Sequence, residues 1–466
     1  MGPRLRGDDG TLQSSGRGNI RNASALPQQG RLPVEITAMK AVSWRLMPFL
    51  VLLYLVAYID RSNIGFAKLT LQQELGLSST AFTLGQIAFF VAYAVFEVPS
   101  NLLLERYGAR RWFTRIVLSW GLVTVATALI RTPGEFYLAR FLLGVAEAGF
   151  YPGVLYYITK WYPYRYRARV IGLFMMSGPL AFIIGNPYMG AVNGLHGAFG
   201  LDGWQWIFIA TGMPAVLLAF VTLRFLPDGP ASARWLNEEQ RAWIAQDLKI
   251  DAGMASNVHG NPLRALQDRR VVSLALYYFC FPFGCYGLGF WLPTIVDGFG
   301  GLSSLAIGFV TAVPYVFVAL GLYLIPKLAD LGGSRYVWIA GIAALGAVGL
   351  VCSARATDHL LQLTFITVAA VGLFGCQPII WSLPSRFLTG AQAAAAIAMI
   401  NAVGNLGGGF GPMGIAVIVD RTGSVATGLY VLAAVVAIAV VATFGIQRVI
   451  EKPRPEVSLE AEASSR

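Results

Sequence analysis

Long apolar runs alternate with short polar connections along almost the whole chain. A helix that crosses a bilayer needs about 20 mostly apolar residues. Twelve runs reach that length: Trp44–Phe66, Ala81–Leu104, Trp112–Ile130, Glu135–Thr159, Val170–Gly190, Trp204–Phe225, Val271–Val296, Leu305–Ile325, Tyr336–Ser353, Leu360–Ser382, Ala391–Val419 and Thr427–Ile446. The pattern predicts an all-α membrane protein with 12 transmembrane helices. Residues 1–42 are polar, rich in Gly and Arg, and lack the apolar stretch of a signal peptide; a disordered tail is expected there. One long connection, 226–270, separates six runs from six. Within it, Asn237-Glu238-Glu239-Gln240 reads as a helix start with acidic first-turn residues, and Trp243, Ile244 and Leu248 follow. A short amphipathic helix on the membrane surface is expected in this linker. The implied organisation is a tail (1–42), a six-helix bundle (43–225), the linker (226–270), a second six-helix bundle (271–448) and a C-terminal tail (449–466).

Composition supports this reading. Of 466 residues, 56% are hydrophobic and 13% charged, with a mean hydropathy of +0.60, whereas soluble domains are roughly 25% charged. A secreted disulfide scaffold, a disordered chain and a nucleic-acid binder are excluded. The net charge of +11 is a topology signal. All but six of the 35 Lys and Arg residues fall in the tails, the even-numbered connections or the run ends that adjoin them (Arg45, Arg115 and Arg224). The exceptions are Lys68, Arg131, Arg355 and Arg421 in odd connections, and Arg61 and Arg140 inside runs. Basic residues stay on the cytoplasmic side, so both termini are expected there, as is the Asn22-Ala23-Ser24 sequon. The four cysteines lie in apolar runs without metal or redox spacing and read as packing residues. No catalytic constellation, metal cluster or cofactor motif is found, so an enzyme is not expected. The glycines 407–409 and 411 loosely resemble a phosphate loop, but with no preceding strand they read as helix packing or a hinge.

The two halves echo each other. Glu105-Arg106-Tyr107-Gly108-Ala109-Arg110 after the second run matches Asp330-Leu331-Gly332-Gly333-Ser334-Arg335 after the eighth. Duplicated halves are a recurring transporter architecture with a binding site at their interface near the midplane. Ionisable residues at that depth cost about 2.5–3.5 kcal/mol each on insertion scales and default to function. Asp60, Arg61, Arg140 and Glu147 are of this kind, and Glu97 is nearer the cytoplasmic end. Helical spacing puts Tyr54, Tyr58 and Arg61 on one face, suited to a carboxylate beside a carbon skeleton, with Asp60 turned about 100° away. Arg140, Gly144, Glu147 and Tyr151 form another stripe, with Gly144 opening space. Arg140 and Glu147 are about 10 Å apart along the axis. Two structural alternatives stay open: the four charges form two buried ion pairs, or Glu97 latches onto the basic cytoplasmic loops. No histidine lies deep in a run, so a mid-depth proton carrier must be Asp60, Glu147 or Glu97. The four charges sum to zero; one carboxylate plus one proton leaves that sum unchanged, avoiding net charge in a low-dielectric path. In the second half Gln377 with Trp381, Asn401 with Asn405, and Tyr277 with Tyr278 offer polar groups, either for substrate or for interhelical hydrogen bonds.

Three segments carry a resemblance: Tyr58-Ile59-Asp60-Arg61-Ser62-Asn63-Ile64-Gly65-Phe66, Glu97-Val98-Pro99-Ser100-Asn101, and residues 140–153 (RFLLGVAEAGFYPG). With them the chain resembles the major facilitator superfamily, and within it the anion:cation symporters of tartrate, phthalate, 4-hydroxyphenylacetate and sugar acids. The resemblance implies 12 helices in two pseudo-symmetric six-helix bundles working by alternating access. It also implies a small organic anion and protons as partners, and a monomer in a bacterial cytoplasmic membrane. Asn101, Glu105 and Pro326 depart from the superfamily's usual residues. The resemblance assigns the carboxylate to Arg61 and Arg140, and the proton to Asp60 and Glu147. It lines the cavity with Tyr58, Tyr93, Tyr278 and Asn401. The loop residues Glu105, Arg106, Gly108, Arg110, Asp330, Gly333 and Arg335, with Glu97, would serve gating. The expected activity is import of an organic carboxylate by proton symport. Rivals are an exchanger of anions or organophosphates, an efflux pump for amphipathic cations, which two arginines argue against, and a membrane enzyme or receptor.

Overall fold

A computed structural model describes residues 33–256, 267–384 and 390–451. Among these residues all regular structure is helical. The first half contains α1 (Pro33–Glu74), α2 (Ser79–Tyr107), α3 (Ala109–Thr127), α4 (Pro133–Glu147), α5 (Phe150–Thr159), α6 (Tyr164–Met175), α7 (Ser177–Asn193) and α8 (Gly203–Phe225). Helix α9 (Glu238–Ser256) occupies the long connection. The second half contains α10 (Arg269–Asp297), α11 (Ser304–Asp330), α12 (Arg335–Arg355), α13 (His359–Gly375), α14 (Gln377–Trp381), α15 (Gly390–Thr422) and α16 (Val425–Glu451). Eleven spans are long and apolar enough to cross a membrane. The twelfth predicted run corresponds to α3, whose opening turns carry Arg110, Arg111 and Arg115 while Phe113, Ile116, Val117 and Trp120 are buried. On the spans, exposed positions such as Phe220, Ile438 and Val441 are apolar, the surface a lipid solvent requires.

Three spans are broken where one continuous helix was expected. In the fourth, Ala148 is extended and Gly149 has φ 84° between α4 and α5. Pro152 explains the break: it lacks an N–H and its ring would clash with the carbonyl four residues back. Helix α4 starts on a capping box in which the Thr132 hydroxyl accepts from the Glu135 N–H. The fifth span breaks at Met176 and the tenth at Cys376.

Two boundaries differ from expectation. Helix α1 begins at Pro33, inside the segment expected to be a disordered tail, because Ala38, Met39 and Val42 bury on a helical spacing; residues 1–32, with the sequon, lie outside the described residues. Helix α1 also runs on to Glu74, so Lys68, counted as a loop residue, is buried with its ammonium 3.2 Å from the centre of the Trp291 ring. Helix α9 is capped by Asn237, whose side chain accepts from the Gln240 N–H at 2.8 Å. Its apolar side docks on the protein: Ile244 is fully buried, and Arg165 pairs with both Asp247 and Glu35.

The two bundles meet along α1 with α10, α2 with α15, and α7 with α11. One apolar core fills the second half and continues into Ile64, Phe66, Leu71, Phe82, Met189 and Trp204 of the first. The other core stays within residues 38–244. Among the described residues the halves therefore share a buried core at the end remote from Pro33 and Glu451. There the Asp420 carboxylate accepts from the Ser79 and Thr80 N–H groups at 2.8 and 2.7 Å, capping α2 from across the interface. Gly190 and Gly308 let α7 and α11 touch: a Cβ on either would come within 2.5 Å of backbone oxygen. Among the described residues, hydrogen bonds between the halves lie at this end and at mid-depth.

Candidate functional site

At mid-depth the halves enclose a cavity with about 990 Å³ of empty space, mouth included. Ten residues singled out from sequence line it: Tyr54, Tyr58, Arg61, Tyr93, Tyr151, Tyr278, Gln377, Trp381, Asn401 and Asn405. Arg61 is its one charged lining residue among those described. Ile64, Gly65 and Phe290, near the shared core, close it on that side.

Arg61 is held by groups from both halves. Its Nη2 donates to Glu147 Oε2 at 2.8 Å, and its Nη1 reaches the Tyr286 hydroxyl at 3.5 Å. The guanidinium lies 5.1 Å from the Tyr93 ring centre and 5.5 Å from that of Phe89, within cation–π range. Glu147 is the last residue of α4, beside the break, and only 1% exposed. Its Oε1 is buried without a hydrogen-bond partner.

Arg140 and Asp60 do not line the cavity. Arg140 is 1% exposed, donates to the Gln86 side-chain oxygen and lies 4.9 Å from the Phe89 ring centre. Two of its nitrogens, Nε and Nη1, are buried without partners, and it feels the charges of Glu147, Asp60 and Arg61. The expected direct arginine pair on a substrate is therefore reduced to Arg61. The space expected at Gly144 is filled by α2: a Cβ there would sit 2.3 Å from the Phe89 carbonyl oxygen. Asp60 is fully buried and faces α3, accepting from Thr124 Oγ1 at 2.9 Å and from Asn63 Nδ2 at 3.3 Å. Asn63 also donates to Thr211 at 3.0 Å. The alternative of two ion pairs fails in form: one pair is made, Arg61 with Glu147, while Asp60 rests on neutral donors.

Glu97 is buried near Asn401 and Arg61 and makes no ion pair with the basic loops among the described residues. Tyr277 turns away from the cavity to bond Thr443. In the first loop motif Gly108 turns the chain at φ 84°, and the Arg110 N–H donates to Asp228 Oδ1 at 2.9 Å. Glu105 and Arg106 are exposed, Arg106 over the Tyr107 ring. In the second copy Arg335 pairs loosely with Asp330 at 3.8 Å across the Gly333 turn and donates to Ser382 at 2.8 Å. The four cysteines are free, and Cys285 lines the cavity.

Sequence reasoning did not find Gln86, Tyr286, Thr124, Asp228 or Asp420. For Tyr286 a signal existed. The offset of 225 residues that relates the two loop motifs carries Arg61 onto Tyr286, and these two residues meet in space.

Two helical bundles around a mid-depth cavity whose described lining carries one cation have the plan of a membrane transporter. A family model described as Major Facilitator Superfamily matches residues 50–412, and the chain belongs to that superfamily. It is 48% identical to a "Quinolone resistance transporter" of Acinetobacter baumannii, over 91% of this chain and 98% of that one. It is 43% identical to a "Putative tartrate transporter" of Agrobacterium vitis, over 89% and 92%. The fold matches the crystal structure of a D-xylose-proton symporter with TM-score 0.69 at 17% identity, covering 86% and 97% of the two chains. The chain is a multi-pass transporter and not an enzyme, as its sequence implied.

Proposed function

We propose that this protein imports a small organic carboxylate together with a proton across a bacterial cytoplasmic membrane, with both termini on the cytoplasmic side. The observation that carries this reading is the Arg61–Glu147 pair at 2.8 Å. Among the described residues Arg61 is the one charged group lining the cavity, and its charge is already spent on Glu147. A substrate carboxylate at Arg61 would set two negative charges against one buried cation, at prohibitive cost while Glu147 stays ionised. Protonation removes that cost. A proton on Glu147 frees Arg61 for the substrate, and the net charge of the site is unchanged. Arg140, with two unpartnered nitrogens, holds positive potential behind the site and is a positioning residue. Asp60 is a second proton acceptor set within the first bundle. The coupling also answers an energetic need, since moving one negative charge inward costs about 2.3 kcal/mol per 100 mV.

A second reading, outward movement of a drug, draws on the relative named for quinolone resistance. Uptake of labelled organic acids into proteoliposomes separates the readings. Symport predicts accumulation driven by an inward proton gradient and lost in Arg61→Ala. Exchange without gradient stimulation contradicts it, and accumulation driven only by an outward proton gradient favours export.

A further inference from the structure

We propose that the carboxylate carried is a flat aromatic monocarboxylate, and not a dicarboxylate or a sugar acid. This rests on the carboxylate-transport reading above and narrows it. The first argument is charge. The described lining offers one cation, Arg61, and Arg140 is sealed behind Gln86 and Phe89. A second carboxylate would enter a low-dielectric site without a counter-ion. A monoanion exhausts the available charge.

The second argument is what the polar groups of the wall are already doing. The Trp381 Nε1–H donates to the Tyr278 hydroxyl at 3.2 Å, and that hydroxyl donates to Gln377 Oε1 at 3.3 Å. Gln377 Nε2 in turn donates to Cys285 Sγ at 3.2 Å. The chain of bonds runs within the wall and ends at Cys285. A polyol could use these groups only by breaking it, which leaves Asn401 and Asn405 as the remaining lining amides of this half. With the chain intact, Tyr278 and Trp381 present ring faces and edges.

The third argument is the surface those rings build. Tyr54, Tyr58, Tyr151, Phe182, Tyr278 and Trp381 all line the cavity. Their mutual packing fixes them: Tyr278 lies 4.7 Å from Trp381 at 63°, Tyr54 is 5.5 Å from Tyr151, and Phe182 stacks on Tyr315 at 4.0 Å. A planar ring gains from stacked or edge contacts with such walls. Its carboxylate meets Arg61 and the Tyr286 hydroxyl on the α1–α10 side.

The test uses the full-length protein in proteoliposomes under an inward proton gradient. The probes are labelled benzoate, 4-hydroxybenzoate and quinoline-2-carboxylate, set against tartrate and galactonate. The expected result is Arg61-dependent accumulation of at least one ring acid, with tartrate and galactonate at the level of empty vesicles. Trp381→Ala raises the KM for that ring acid by about tenfold, and Trp381→Phe restores most of it. Arg61-dependent accumulation of tartrate or galactonate, with ring acids excluded, overturns the aromatic assignment and leaves carboxylate transport standing. If no acid accumulates or exchanges, both readings fall.

Discussion

The two halves of this transporter share a fold and a repeated loop motif but divide the chemistry unequally. Every buried ionisable Asp, Glu, Lys or Arg among the described residues belongs to the first half: Glu35, Asp60, Lys68, Glu97, Arg140 and Glu147. The second half contributes Thr311, Ser353 and Thr443 to the buried polar set, and its cavity wall is neutral. The unpartnered buried atoms follow the same division at mid-depth, on Arg61, Glu97, Arg140 and Glu147. The first half thus holds charges whose pairing can change. The second holds a neutral hydrogen-bond chain from Trp381 through Tyr278 and Gln377 to Cys285. On the proposed reading, a symmetric scaffold has been specialised, one side for moving a charge and the other for judging shape.

Breaking the charged side should have the largest effect. Arg61→Ala removes the one charge on the described cavity lining and strands Glu147; losing one partner of a buried pair costs about 2–5 kcal/mol or more, on the order of a hundredfold in uptake at fixed protein level. Initial rates of labelled uptake, normalised to reconstituted protein, would check this. Next comes Glu147→Gln, which mimics the protonated state permanently. Gradient-driven accumulation should fall by about tenfold or more while exchange of preloaded substrate persists. Counterflow assays distinguish the two.

On the neutral side the effects should be smaller. Gln377→Ala removes one link of the Trp381–Tyr278–Gln377–Cys285 chain, worth roughly 1 kcal/mol, and should raise KM several-fold without altering proton coupling. An effect as severe as that of Arg61→Ala would break the comparison between the halves. The smallest change is expected away from the site, at Asp420→Ala. Caps of this kind contribute about 1 kcal/mol, so the ratio of the two access states should shift about fivefold. Labelling of Cys285 by a membrane-impermeant thiol reagent, with the other three cysteines replaced by serine, would read that shift.

Much of the fold was legible because its signal is coarse. Lipid demands long apolar helices with internally satisfied backbones, and twelve such runs stand out by length alone. Helix breaks were harder to see: Pro152 and Gly149 lie in a segment whose hydropathy reads as one helix, and only the backbone at Ala148–Gly149 reveals two. Within the site, residue type carried Arg61 and Glu147, since an intramembrane charge is conspicuous. It could not tell a lining arginine from an enclosed one. Arg140 and Arg61 carry the same side chain and Phe89 lies beside both, yet Gln86 from α2 engages Arg140 alone. That is a question of helix rotation, which the close α2–α4 approach at Gly144 settles. Lys68 misled for the opposite reason: a lysine at the end of an apolar run reads as a loop anchor, but a ring from the other half receives it.

The central claim is that Glu147 and the substrate compete for Arg61 and that a proton decides between them. The most direct test compares wild type with Glu147→Gln in proteoliposomes at clamped membrane potential, following accumulation of a transported carboxylate as the outside is acidified. The account predicts steep acid-driven accumulation in wild type and none in the variant, which still exchanges substrate. If the variant accumulates substrate as steeply as wild type, Glu147 does not couple the proton and the pair with Arg61 is structural.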